Sequence, residues 1–346
     1  MKEIKYKNFS FNRHSKNLKK DIASVCQFEL TFGCDLHCRH CYTDCYNKST
    51  YLKKELTVGQ IKYILDKIQR AGVIWLCLTG GDPLIRPDFL DIYSYAKEKG
   101  FIITVFTNGY SLTRQMIRSF KEKSPFVLEI TVNSVTERSY EDISQVQGSF
   151  SKVMKNIEII LKENIPLKIK TQITRDNLEE VPKVKNFVEG LGLEFSPSHI
   201  LYPRLNGDLK PCDLRITAQE ALDLYGRGES GQQKATDKTR DPVCRLFPCA
   251  IDGGDGINVD PYGNMFLCTL IREPNFNLLK TEVDHARREL LSQVRDRSFI
   301  SDSRCRRCGY RQSCTWCPGK AYAEKGSFEE PIEYYCELAG MAEKKK

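Results

Sequence analysis

Between residues 24 and 200 the apolar positions alternate between two spacings. Short β-branched runs predict strands at Ser24 to Leu30, Val73 to Leu78, Ile102 to Phe106, Phe126 to Val132, Leu167 to Ile173 and Leu193 to Phe195. Between them the period lengthens to that of a helix. One predicted helix opens with Thr57 and Gln60 as a capping box, sets Ile61, Ile64, Leu65 and Ile68 on one face, and stops at Gly72. Pro87 suits the first turn of another, and Phe150 to Glu163 carries Val153, Ile157, Ile160 and Leu161 on one face. Asn177 with Glu180 caps a fourth, ending near Gly192. Strand and helix in regular alternation imply an α/β fold with a parallel sheet. About six such units fall short of the eight in a closed barrel, so a partial barrel and an open doubly wound sheet both fit.

Polar loops follow four of these strands: Cys34 to Cys41, Gly80-Gly81-Asp82, Thr107-Asn108-Gly109 and Asn133-Ser134. In parallel α/β architectures ligands bind at the carboxyl ends of strands, so the four loops are expected to converge on one site.

Past residue 200 the rhythm fails. Tyr202 to Cys212 reads as a connection leading to a helix around Thr217 to Tyr225, and Gly226 to Asp241 as a polar linker. Ile257 to Val259 and Met265 to Leu267 flank Asp260-Pro261-Tyr262-Gly263, a hairpin that delivers Cys268. The last third is poor in apolar residues and is expected to need metal to fold. The predicted organisation is a basic N-terminal extension (1–23), an α/β domain (24–200), a connecting helix and linker (201–243) and a cysteine-rich domain (244–346).

Hydrophobic residues make up 40% of the 346 positions and charged residues 28%, ordinary globular values that exclude a disordered or collagen-like chain. The longest apolar run, Val73 to Leu78, is far short of the roughly 18 residues a membrane helix needs. The basic N-terminus lacks the apolar stretch of a secretory signal, which places the protein in the cytoplasm, away from membranes. The formal charge of +8 falls to roughly +3 if the thiols hold three iron–sulfur clusters. With the lysines dispersed rather than gathered in a stripe, nucleic-acid binding is not expected.

Fifteen cysteines change the picture. In a reducing compartment such a number points to metal ligation rather than disulfides. Cys26 and Cys77 fall within predicted strands and read as buried structural thiols, and Cys45 reads as a surface thiol or one lying beside the ligands. Cys212 is a candidate for a role near the substrate or a cluster. His14, His37, His199 and His285 show no ligand spacing and read as structural. Cys34-x3-Cys38-x2-Cys41 supplies three thiolates in one loop, and a cubane held by three cysteines keeps its fourth iron open. Alone, such a loop also suits zinc.

Joined to Gly80-Gly81-Asp82 after the second strand, the cysteine loop resembles that of the radical S-adenosylmethionine (SAM) superfamily, over residues 24 to about 200. The resemblance implies a partial (β/α)6 barrel and one [4Fe–4S] cluster on Cys34, Cys38 and Cys41. SAM contacts would come from His40, Gly80, Gly81, Asp82, Asn108, Asn133 and Ser134. Two positions depart from the common pattern: His40 replaces an aromatic residue, and Asp82 a glutamate. The chemistry implied is reductive cleavage of SAM to methionine and a 5′-deoxyadenosyl radical, which takes hydrogen from a substrate.

The later cysteines resemble the SPASM extension of this superfamily, although only two residues separate Cys314 from Cys317 where three are usual. By that analogy Cys244, Cys249, Cys268 and Cys317 hold one auxiliary [4Fe–4S] cluster, and Cys305, Cys308, Cys314 and Cys336 a second. A zinc ribbon is the alternative for the CxxC pairs, and with it an interaction module that does no chemistry. The SPASM resemblance implies a ribosomally made peptide or protein as substrate, in a peptide maturase. A separate leader-binding protein would present it, and flavodoxin or ferredoxin would supply electrons. Thr269, where sulfatase-maturing relatives carry an acid, argues against that branch. The alternative substrate is a haem-pathway tetrapyrrole. No cobalamin-binding motif is visible.

Overall fold

The computed structural model describes residues 5–19, 22–43, 49–225, 245–247, 249, 254–312 and 314–344. Cys45, Cys244 and the polar stretch from Gly226 to Asp241 lie outside the described residues.

Six strands run parallel in sequence order: β1 (Val25–Thr31), β2 (Trp75–Gly80), β3 (Ile102–Thr107), β4 (Val127–Thr131), β5 (Leu167–Gln172) and β6 (Ser196–Ser198). Their register explains why the apolar runs form one sheet. Cys26 lies opposite Leu76, which lies opposite Ile103, and Phe28 lies opposite Leu78. These side chains share the outer face and are buried beneath the helices together with Val105, Leu128, Ile130 and Ile169. The alternate positions, among them Gln27, Cys77, Phe106 and Gln172, point to the concave face.

The helix Val58–Arg70 shows how local sequence sets this packing. Thr57 Oγ1 accepts from the Gln60 backbone, and Gln60 Oε1 accepts from the Thr57 N–H at 2.9 Å. Ile61, Ile64, Leu65 and Ile68 are fully buried, worth about 1.5–3 kcal/mol each. Gly72 ends the turn at φ +101°.

Beyond β1 the sheet continues. β7 (Gly256–Val259) pairs parallel with β1, with Val25 opposite Gly256 and Phe28 opposite Val259. β8 (Asn264–Phe266) and β9 (Phe276–Asn277) follow antiparallel. Among the described residues the sheet has the order β6-β5-β4-β3-β2-β1-β7-β8-β9, and its two ends do not pair. The fold is therefore an unclosed, mainly parallel α/β barrel. The expected hairpin exists, but it is an extension of the barrel sheet. Val283, Ala286 and Leu290 of the helix Val283–Ser292 also join the main core. Later residues form only small clusters around Leu246, Phe247 and Phe299 and around Ala321, Ile332 and Tyr335.

Four local expectations are corrected. The sixth strand is Ser196–Ser198 rather than Leu193 to Phe195, because those apolar side chains pack against the core beside the sheet while Ser196 and Ser198 meet Lys170 and Gln172. Pro87 precedes its helix, Phe89–Glu98, whose N-cap position is Asp88. Asn177 does not cap with its side chain: its Oδ1 accepts from the Thr174 N–H, and its Nδ2 donates to the carbonyls of Asn133 and Gln172. Cys77 is only partly buried, since it sits on the concave face. The basic extension contains a helix, Tyr6–Lys19. His14 stacks on Trp75 at 4.3 Å, and the Trp75 indole donates to Tyr6 Oη at 2.8 Å. Trp75 begins β2, so this helix closes the amino ends of the strands, opposite the polar loops.

Candidate functional site

At the carboxyl ends of the strands lies a cavity of about 470 Å³. Cys34, Cys38, His40 and Cys41 line it from the loop after β1, Gly80 and Gly81 from the end of β2, Thr107 and Asn108 from β3, and Asn133 from the loop after β4. The convergence expected from four separate loops is present. Gln27, Phe106, Thr131 and Gln172 form its floor from the concave face. Tyr202, Thr269 and Leu270 close it from the later part of the chain, and Thr269 directly follows Cys268.

The cysteine loop is fixed on both flanks. Its His37 and Arg39 N–H groups donate to the carbonyls of Ser144 and Ile143 at 2.9 and 3.1 Å. On the other side Asn108 Nδ2 donates to Asp35 Oδ1 at 2.7 Å and contacts Cys34 Sγ at 3.5 Å, while Ser111 Oγ donates to Asp35 Oδ2. The two glycines let the next loop approach. A Cβ on Gly80 would lie 2.0 Å from the Thr31 carbonyl oxygen, and one on Gly81 2.2 Å from that of Gly33. Only hydrogen fits at either position.

Asp82 stands behind this wall, fully buried. Its Oδ2 accepts from Thr107 Oγ1 and the Asn108 N–H, both at 2.7 Å, and its Oδ1 accepts from the Leu84 N–H at 2.9 Å. Burial, and then the Asp35 charge, push its carboxyl up to about 7, with these donors pulling it down. The residue thus ties the β2 loop to the β3 loop. Ser134 is buried as well, and its hydroxyl pairs with Glu180 and Thr136 at 3.2 Å. Asn133 lines the cavity while its Oδ1 accepts from the Gln172 N–H at 2.9 Å.

Three thiols and a neutral imidazole face the cavity together. Burial, and then the Asp82 carboxylate, push the Cys34 thiol up, so a bound metal must displace its proton. Burial lowers the His40 imidazole to about 4. Its Nδ1 is buried without a partner, an unmet polar contact in the cavity wall. The soft thiolate donor set, the glycine cradle and the orphaned imidazole nitrogen fit a cluster-bound SAM. Among the described residues no three His, Cys, Asp or Glu side chains are grouped closely enough to hold one metal ion.

The later cysteines fall into two neighbourhoods. Cys305 is raised to about 11 by burial and, among charges, by Cys336, Cys314 and Cys308. Cys268 is also raised to about 11 by burial, with charge contributions from Cys317 and Cys249. Cys244 lies outside the described residues. Cys212, in the short helix Lys210–Leu214, is absent from the cavity wall, and burial raises its thiol to about 11, which leaves it protonated near neutral pH. Asp35, Gln172, Tyr202 and Leu270 are site residues that the sequence does not single out. For Gln172 the signal was period-2 alternation, which puts it on the same face as Lys170. For Tyr202 and Leu270 no local signal exists, because only the fold brings their segments to the cavity.

Residues 28–188 match the Radical SAM superfamily. The AdoMet-dependent heme synthase of Methanosarcina barkeri is 26% identical over 341 residues, covering 89% of this chain and 95% of that protein. The mycofactocin maturase MftC of Mycobacterium tuberculosis is 24% identical over 311 residues, covering 84% and 77%. Among solved structures, Streptococcus suis SuiB bound to its precursor peptide SuiA superposes with a TM-score of 0.69 at 14% identity, covering 93% of this chain and 78% of that one. No described helix is long and apolar enough to cross a membrane.

Proposed function

Because residues 28–188 match the Radical SAM superfamily, we propose that this chain is a radical SAM peptide maturase whose cavity holds SAM and one side chain of a ribosomally made peptide. The observation that carries the substrate reading is size. The cavity of about 470 Å³ lies in the lower half of the roughly 300–1,000 Å³ range of small-molecule sites. SAM is itself a ligand of that class, so the space left beside it suits a side chain better than a macrocycle. The relatives that are maturases, and the SuiB complex with a precursor peptide, agree with this substrate class.

Cys34, Cys38 and Cys41 would hold a [4Fe–4S] cluster that, with SAM bound and one electron supplied, yields methionine and a hydrogen-abstracting 5′-deoxyadenosyl radical. The chain's own residues do the positioning. The Gly80-Gly81 backbone admits the methionine end close to the loop, and Asp82 and Ser134 hold the surrounding loops. His40, Asn108 and Asn133 present polar atoms to the remainder of the molecule. Thr269 and Leu270 exclude water from the substrate side and bring Cys268 close behind the wall. Cys244, Cys249, Cys268 and Cys317 would hold one auxiliary cluster, and Cys305, Cys308, Cys314 and Cys336 another. A flavodoxin or ferredoxin would supply the electron, and a leader-binding protein would present the peptide, all in the cytoplasm.

A second reading, radical chemistry on a haem-pathway tetrapyrrole, is favoured by the haem synthase relative that aligns over 95% of its own length. Deuterium transfer separates the two. Precursor peptide deuterated at side-chain carbons should pass label into 5′-deoxyadenosine. Label arriving instead from a propionate-deuterated iron porphyrin, with none from peptide, would overturn the maturase reading.

A further inference from the structure

Lys320 is a buried cation in an unusual place. It lies in the first turn of the helix Pro318–Lys325, and 9% of its surface is exposed. Among the described residues no carboxylate pairs with it. Glu324 is taken by Arg215, whose Nη1 donates to Oε2 at 3.0 Å and whose Nη2 donates to Oε1 at 2.5 Å. Lys320 Nζ instead donates to the Thr315 carbonyl at 2.5 Å and lies 4.5 Å from the centre of the Tyr335 ring. A buried ammonium is costly unless anions stand near it. Burial is the largest influence and holds the Lys320 ammonium below its ordinary range; Cys317, Cys314 and Glu324 favour its charge, in that order, and Arg215 opposes it.

Those two thiols belong to different neighbourhoods. Cys317 influences Cys268, and Cys314 influences Cys305. Thr315, whose carbonyl Lys320 holds, lies between them in the chain. Lys320 is therefore tethered to the segment that contributes one thiol to each group.

We infer that Lys320 is a shared counter-charge for two auxiliary iron–sulfur sites, tuning both towards easier reduction through one ammonium. The inference rests on the ligand sets proposed above. Cluster potentials follow net charge and hydrogen bonding, so a cation set between two clusters raises both potentials together.

The test is an EPR-monitored redox titration of the reconstituted full chain as wild type, Lys320→Gln, Lys320→Met and Lys320→Arg. The Gln and Met variants are expected to reduce both auxiliary clusters at more negative potentials than wild type, with the N-terminal cluster unmoved and the Arg variant close to wild type. Loss of auxiliary iron in Gln and Met but not in Arg gives the same support, since the positive charge is what Arg keeps and both of the others lack. Unchanged potentials at full iron content, a shift confined to one cluster, or equal loss of iron in all three variants would overturn the inference. A wild-type chain holding only about four irons would overturn the ligand reading itself, and is told apart by iron analysis before any titration.

Discussion

Glu29 and Arg272 meet as a two-pronged ion pair, with Arg272 Nη1 2.7 Å from Glu29 Oε2 and Nη2 2.8 Å from Oε1. Glu29 is 1% exposed, on β1, and Tyr42 Oη also donates to it at 3.2 Å. The Arg272 guanidinium lies 4.8 Å from the Phe266 ring and 5.4 Å from that of Phe32. Tyr42 follows Cys41 directly and Arg272 lies just beyond Cys268, so one buried charge pair joins the N-terminal cysteine loop to the later cysteine module.

Removing one partner leaves the other charge buried. Arg272→Met is expected to lower unfolding stability by about 3–5 kcal/mol, read as a drop in the thermal midpoint. The Glu29→Gln/Arg272→Met double variant should lose clearly less than the sum of its two single changes. Strictly additive losses would show that the pair carries no coupling.

Gly81→Ala is expected to weaken SAM binding at least tenfold, or about 1.4 kcal/mol, without loss of secondary structure. The added methyl meets the Gly33 and Phe32 carbonyls and drives the β2 turn away from the cysteine loop. Gly59→Ala is the control. It lies in the helix Val58–Arg70 with no atom within 4 Å of the new Cβ, and should gain roughly 0.5–1 kcal/mol. Titration calorimetry with SAM on reconstituted protein measures the first effect, and thermal melts the second.

Asp82→Ala leaves Thr107 Oγ1 and the N–H groups of Asn108 and Leu84 without their acceptor. Each buried donor left unmet costs about 1–3 kcal/mol. The variant should therefore melt earlier even in the absence of SAM. A variant with unchanged stability and only weaker SAM binding would make Asp82 a direct ligand rather than a brace.

Burial, and then the Lys320 charge, lower the His199 imidazole to about 4, against an ordinary value of 6.5. The folded protein keeps this ring neutral while the unfolded chain takes up a proton, so its stability rises with pH across that window and is lost as pH falls from about 6.5 to 4. His199→Asn should flatten this part of the stability profile measured by denaturant titration. An equally steep profile in the variant would place the effect elsewhere.

Much of the barrel is legible along the chain because each of β1 to β5 sets β-branched or aliphatic residues on the outer face and is bounded by turn chemistry, whereas β6, Ser196–Ser198, carries no such run. The capping box at Thr57 and the loops after β1 to β4 follow from short local rules. What the sequence hides is long-range. Nothing near Glu29 announces Arg272, and nothing near Ile257 says that β7 will pair with β1. The helix Tyr6–Lys19 escapes because it has no continuous apolar stripe; it is held by Tyr6 and His14 against Trp75. Asn177 looks like a cap from its neighbours in sequence, but the Thr174 N–H takes its Oδ1, the atom a cap would use, while the Asn133 and Gln172 carbonyls hold its amide nitrogen.

The central claim is a radical SAM site served by two auxiliary clusters. It is tested most directly by anaerobic iron and sulfide analysis of the reconstituted chain, paired with dithionite-dependent conversion of SAM to 5′-deoxyadenosine. About twelve irons per chain, with turnover lost on replacing Cys34, Cys38 or Cys41 by alanine, is the predicted result. Zinc in place of iron, with no cleavage of SAM, would contradict the account.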